Sequence, residues 1–154
     1  KSYCIFNQPV SKEDYLTFDG ETLALRSKNG HVKRKWRAVS GAKGSRKSDQ
    51  NKSNFGPLPE GEWTARFDQT VQADIKKGLW DFTKWLLNSP SWGFVATPLE
   101  PAKNTKIYER FGFYLHGGIT DGSIGCIDIR ESNRDFHLTA RLYKRNLKLI
   151  VKYR

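Results

Sequence analysis

Hydrophobic and polar positions alternate most cleanly at the end of the chain, where Leu147, Leu149, Val151 and Tyr153 interleave with Lys148, Ile150 and Lys152. A period of two puts one set of side chains on one face, so this stretch predicts a half-buried closing strand. The first forty residues carry related signals. Tyr15 to Phe18 and Thr22 to Leu25 flank Asp19-Gly20, a dipeptide that supplies the positive φ angles of a tight hairpin. Asn29-Gly30 repeats the signal before His31 to Val39, which predicts a three-stranded meander. Glu62 to Phe67, Trp92 to Thr97 and Phe111 to Leu115 are further runs of strand length.

The period becomes helical from Asp74 to Leu87, where Ile75, Leu79, Phe82 and Leu86 recur at offsets of four, three and four. Asp74 can cap this helix, and Asn88-Ser89-Pro90 stops it. Trp80 and Trp85 lie off the apolar stripe and are read as packing against neighbouring elements. Ser132 to Tyr143 predicts a second helix with Phe136, Ala140 and Tyr143 on one side. From Ser40 to Gly61 no period holds, and Gly, Ser, Lys, Asn and Pro dominate. A stretch of that length inside a compact domain signals a functional loop or disorder: its glycines and basic side chains suit either a mobile flap near the active site or a disordered, solvent-facing insertion that only raises solubility. Strands outnumber helices, and there are no regular βαβ units, repeats or linkers. The expected fold is one β-rich α+β domain over residues 1–154.

Composition narrows the class. A chain of 154 residues buries roughly 68–70% of its unfolded surface and needs no disulfide or metal to fold. Hydrophobic residues at 37% and aromatics at 13% exclude a disordered chain. Cys4 and Cys126 are the two cysteines, which excludes a disulfide scaffold and any zinc site made of cysteine alone. No apolar run approaches the ~18 residues of a membrane-spanning helix, so membrane insertion is not expected. The chain holds no Met and opens at Lys1, as expected of a processed or trimmed product, so the lack of a targeting signal is uninformative. A net charge of +11 draws polyanions, whether nucleic acid, anionic membrane or an acidic wall polymer.

Candidate chemistry concentrates between Phe113 and Ile129. An apolar strand ends at His116, and Gly117, Gly118, Asp121-Gly122 and Gly125 allow a tight return to Cys126. Glycines on both sides of a His and a Cys let main chain approach a substrate closely. An imidazole can take the thiol proton, and Gly125 and Cys126 can offer consecutive backbone N–H groups to a developing oxyanion. Other readings stay open on the residues alone. Cys4 reads as a small buried hydrophobe, and His31 and His137 read as structural or solvated. A metal held by His116 and Cys126, with Asp121 or Asp128, lacks any paired-ligand spacing, so no metal site is assigned.

His116-Gly117 followed by Ser123-Ile124-Gly125-Cys126-Ile127 resembles the His-Gly and Ser-His-Gly-Cys signature of L,D-transpeptidase catalytic domains. It is more similar to the type VI secretion L,D-transpeptidase effector family, whose sites read like His-Gly-Gly, then Gly-Ser-x-Gly-Cys-Ile-Asp. Leu16 to Gly20, Ala38 to Gly41, Gly56 to Gly61 and the closing Leu149 to Tyr153 also resemble that family. The resemblance implies an L,D-transpeptidase-like domain of mixed sheets with two main helices. It implies Cys126 as nucleophile, His116 as general base, and the Gly117 carbonyl as orienter of the imidazole. Ser123 would support the loop, and Gly125 and Cys126 would supply oxyanion donors. Asp128, Tyr114 and Ser40 are the expected substrate contacts, although Asp128 stands where the larger family commonly carries Arg. Ile124 replaces the second His of the signature. The gap of ten residues between His116 and Cys126 is short, as in the effector family.

The implied activity is cysteine acyl transfer on peptidoglycan stem peptides, tetrapeptides with diaminopimelate and a terminal D-alanine, with no cofactor. Hydrolysis, D-amino-acid exchange and cross-linking are the possible fates of the acyl group. The implied setting is a secreted antibacterial toxin acting in the periplasm of target bacteria, with an immunity protein and secretion machinery as partners. A housekeeping L,D-transpeptidase is the second enzyme reading. A basic nucleic-acid-binding or nuclease toxin domain is the reading from another class. Its aromatics follow strand and helix periods rather than a stacking motif, and no carboxylate–His cluster accompanies them, so nucleic acid is not the expected partner.

Overall fold

Asp19 makes the first turn by accepting the N–H groups of Glu21 (3.0 Å) and Thr22 (2.8 Å) on one carboxylate oxygen. The strands on either side, β1 (Tyr15–Phe18) and β2 (Thr22–Arg26), pair antiparallel, and β3 (Val32–Arg37) continues the meander. The structure is a computed structural model that describes residues 8–72, 95–117 and 123–154. The helix expected at Asp74 to Leu87, Trp80 and Trp85, the turn from Gly118 to Gly122 with Asp121, and Cys4 lie outside the described residues.

The remaining strands are β4 (Val39–Gly41), β5 (Gly61–Ala65), β6 (Val71–Gln72), β7 (Val95–Pro101), β8 (Tyr114–His116), β9 (Ser123–Asp128) and β10 (Leu147–Val151). Neighbours run β3-β2-β1-β10-β5-β7-β8-β9-β4, with β6 paired to β7. The sheet is mixed, since β1–β10 and β8–β9 are parallel. One buried residue, Ala38, separates β3 from β4, so the two ends of the strand order are consecutive stretches of chain. The bend at Ala38 makes the sheet a nearly closed barrel.

Apolar alternation fills the interior. In β10, Leu147, Leu149 and Val151 are buried while Lys148 faces out. Trp63 of β5 donates its indole N–H to the Pro59 carbonyl at 3.0 Å and meets Phe113 edge-on at 4.9 Å. The helix α1 (Asn133–Arg141) covers one end, with Phe136 edge-on to Trp36 at 5.0 Å. No helix among the described residues is long and apolar enough to cross a membrane.

The β-rich α+β fold is as expected, and several boundaries move. His31 to Val39 is two strands, because the chain turns at Ala38 and β4 pairs with β9. The helix expected over Ser132 to Tyr143 is α1 preceded by a 3₁₀ turn at Arg130–Ser132, and Lys144 at φ +53° ends the last turn. The strand expected from Phe111 starts at Tyr114, since Tyr108, Glu109 and Gly112 take positive φ. The segment after Ser40 is hydrogen-bonded along its length: Ala42 N–H donates to Phe55, Gly56 N–H to Lys52, and a 3₁₀ turn spans Lys47–Asp49.

Candidate active site

Strands β8 and β9 run parallel with Leu115 opposite Ile127 and His116 opposite Asp128. Leu115 and Ile127 are fully buried in the core. Side chains alternate along a strand, so His116 and Cys126 fall together on the other face of this pair, two register positions apart. The short parallel ladder is what brings residues ten apart in sequence to neighbouring positions.

His116 is 2% exposed, and its Nδ1 lies 3.0 Å from the Gly117 carbonyl oxygen. A carbonyl can only accept, so Nδ1 carries the proton and Nε2 is the basic nitrogen. Burial pushes the ring down to about 4, against the smaller opposing effect of the Gly117 bond, so it is neutral at pH 7. Gly117 has no room for a side chain: a Cβ would stand 2.5 Å from Asn133 Cβ and 2.7 Å from the Arg130 carbonyl. The His116 carbonyl accepts from Ile129 N–H at 2.7 Å, which fixes this corner to the start of the 3₁₀ turn.

Cys126 is a buried cysteine whose Sγ donates to the Gly112 carbonyl at 3.6 Å. Gly125 before it takes φ +71°, a conformation that favours glycine. The Gly125 N–H donates to the Gly56 carbonyl at 3.1 Å, so this expected oxyanion donor is engaged inside the protein. Ser123 opens β9 and pairs with Gly41, with the register shifting between Ser40 and Gly41.

The expected substrate contacts sit as follows. Ser40 Oγ donates to the Cys126 carbonyl at 2.6 Å and accepts Leu58 N–H at 2.8 Å, so its hydroxyl braces β9. Asp128 is 1% exposed and accepts Arg130 N–H at 2.8 Å. Burial raises its carboxyl to about 6, opposed by that bond. Tyr114 is half-buried on β8, on the same face as His116. His31 is exposed. His137 is buried, with Nδ1 on the Asn133 carbonyl (3.0 Å) and Nε2 on Thr97 Oγ1 (2.8 Å). Burial brings His137 to about 4 as well. A separate cleft of about 400 Å³ opens over Phe67, His137 and Arg141, and it is not lined by His116 or Cys126.

Sequence reasoning missed Arg110. It donates to the carbonyls of Gln50 (2.5 Å), Pro57 (2.8 Å) and Gly56 (2.9 Å), and so ties the segment after Ser40 to the loop that leads into β8, while Gly125 N–H on the same Gly56 carbonyl joins that segment to β9. A lone basic residue inside the aromatic run Tyr108 to Tyr114 was the available signal.

A solved structure similar to this chain is L,D-transpeptidase 1 of Mycobacterium tuberculosis, at 21% identity and a TM-score of 0.45. The likeness covers 90% of this chain and 62% of that one, so this chain spans less than two thirds of its neighbour's length. No protein-family model matches the chain, and no curated protein does.

Proposed function

We propose that this protein is a cysteine acyltransferase acting on peptidoglycan stem peptides, with L,D-carboxypeptidase and L,D-transpeptidase or exchange activity. The observation that carries the reading is the pairing of β8 with β9, with His116 and Cys126 on one face and His116 Nδ1 on the Gly117 carbonyl. These are the residues whose sequence pattern resembles the L,D-transpeptidase signature. His116 Nε2 takes the Cys126 proton, and the thiolate attacks the carbonyl that precedes a terminal D-alanine. The tetrahedral intermediate collapses with loss of the D-alanine amine, which receives the proton from the imidazolium. Water, a free D-amino acid or the amine of another stem then resolves the thioester. Delivery as a secreted antibacterial toxin to the periplasm of a target cell, countered by an immunity protein, is part of the proposal and is supported by the resemblance to the effector family.

The test is incubation with purified tetrapeptide muropeptides and mass spectrometry of the products. Loss or exchange of the terminal D-alanine is expected. Cys126→Ala abolishes it, Cys126→Ser nearly does because a hydroxyl is far less acidic, and Cys4→Ala leaves it intact. Full turnover by Cys126→Ala removes the nucleophile assignment. Salt-sensitive DNA binding without muropeptide turnover would favour the nucleic-acid reading instead.

A further inference from the structure

The acyl-transfer chemistry leaves one buried cation without a role. Arg110 is 5% exposed, and its guanidinium bonds to three main-chain carbonyls and lies 5.6 Å over the Phe113 ring. Among the described residues it pairs with no carboxylate. Carbonyl dipoles offset only part of the cost of burying a full positive charge. Burial pulls Arg110 down from its ordinary value, and the two groups whose charge would offset that are Tyr153 and Cys126. Tyr153 donates its hydroxyl to the Leu58 carbonyl at 2.5 Å, and burial holds its phenol well above the usual range. Tyr153 therefore stays neutral, and Cys126 is the group left to supply the counter-charge.

The contact between Arg110 and β9 is at the residue before the sulfur. A Cβ on Gly125 would come within 2.6 Å of Arg110 Nη2. Gly125 N–H (3.1 Å) and Arg110 Nη2 (2.9 Å) converge on the same Gly56 carbonyl. Two residues beyond Arg110, the Gly112 carbonyl accepts Cys126 Sγ. One loop thus provides both the cation and the acceptor.

We propose that Arg110 is a positioning residue for Cys126: its fixed charge is the counter-ion of the thiolate, and its clamp on three carbonyls sets the Gly125 backbone that aims the sulfur. The inference rests on the reading of Cys126 as nucleophile. Among the described residues, His116 on β8 and Asp128 on its own strand share the face of Cys126, and Arg110 interacts with both Cys126 and Tyr153. His116 is held neutral near pH 7 and Tyr153 stays a phenol. Asp128, at about 6, is anionic at pH 7 and opposes a thiolate. Among these described groups, Arg110 is the one that carries positive charge at pH 7.

The test follows thiolate ultraviolet absorbance against pH in a Cys4→Ala background, as the difference from Cys126→Ala, for Arg110, R110K and R110M. With Arg110 the midpoint is expected about one unit or more below the ~8.5 of an ordinary thiol. R110K keeps a lowered midpoint, and R110M raises it by about one unit, so thiolate at neutral pH falls roughly 10-fold. Circular dichroism and melting curves on the same proteins report the fold. A midpoint at or above the ordinary value with Arg110 present overturns the proposal, as does an unchanged midpoint in folded R110M. If R110M does not fold, His116→Ala decides: a lowered midpoint that survives loss of the imidazole supports Arg110, and its return to the ordinary value overturns the role. No muropeptide enters this readout. A shifted thiol without muropeptide turnover rejects the peptidoglycan reading alone, whereas turnover without the shift rejects the Arg110 role alone.

Discussion

At Gly117 a single methyl group decides the geometry of the site. A Cβ there collides with Asn133 Cβ and the Arg130 carbonyl, both under 3.0 Å, so the backbone must move. The carbonyl that moves with it is the one holding His116 Nδ1. Gly117→Ala is therefore expected to cost about 1–3 kcal/mol by overpacking, and to lower turnover at least ~10-fold through the misaimed imidazole. Kinetics beside a thermal melt check it; unchanged turnover would mean the carbonyl does not orient the ring. The two buried histidines set a second expectation. His116 and His137, each at about 4, are neutral in the fold and protonated in the unfolded chain below about pH 6.5, while Asp128, at about 6, keeps a proton the unfolded chain has released. Between about pH 6 and 5, above the range where the lowered carboxyls of Asp14, Asp19, Asp49 and Asp68 join in, the unfolded chain thus binds two protons more at histidine and one fewer at Asp128. The net single proton makes stability fall by about 1.4 kcal/mol per pH unit on acidification. His137→Gln cancels that slope, and denaturation curves across this window will show whether it does. His116 and Cys126 stand out as candidates in the sequence because glycine-rich sequence surrounds two reactive side chains in one contiguous string. Gly112 and Gly56 did not, because they take part through main-chain carbonyls, which every residue carries, and Arg110 did not, because its partners are such carbonyls.

Among elements, the tie between β3 and α1 is the one that a substitution tests most directly. The Asp135 carboxylate in the first turn of α1 accepts Arg34 Nε at 3.1 Å, Arg34 Nη2 at 2.8 Å and Trp36 Nε1 at 2.7 Å. The Arg34 bond is partly solvated, whereas Trp36 is buried and its indole N–H would lose its partner. Asp135→Ala is expected to cost about 2–3 kcal/mol and Arg34→Ala about 1 kcal/mol, measured by denaturant unfolding. Equal costs would place the energy in the ion pair rather than the indole bond. The strands of the meander were legible because turn chemistry at Asp19-Gly20 and Asn29-Gly30 bounds them, and β1 and β10 because their buried positions alternate. The strand β4 was not. Val39 to Gly41 has no pattern of its own, and its pairing with β9 is a long-range consequence of the bend at Ala38. The register of β8 against β9 is of the same kind, since three residues of β8 carry too little period to predict a partner.

For the whole molecule, closure of the sheet puts the basic segment after Ser40 beside the strand of Cys126. Arg110 and Gly125 both bond to its carbonyls, and Lys43, Arg46 and Lys47 stand exposed on it. Lys52 is paired with Asp49 at 2.8 Å and is less available to a ligand. The stem peptides of the proposed function carry the carboxylates of D-glutamate and diaminopimelate, and a net charge of +11 draws them from a distance. The three exposed charges lie on the segment whose carbonyls bond to Arg110 and Gly125. Replacing Lys43, Arg46 and Lys47 together with Gln should raise the apparent Michaelis constant for tetrapeptide muropeptides roughly 3–10-fold at low salt, with kcat unchanged. Exposed charges contribute little to stability, so the melting temperature should hold. Raising ionic strength to ~0.15 M shortens the screening length to roughly 8 Å, and the difference between the two proteins should shrink accordingly. A difference that persists undiminished in salt would point to direct contacts rather than steering. Equal Michaelis constants at low salt would leave these side chains as solvated surface and place substrate capture elsewhere on the barrel.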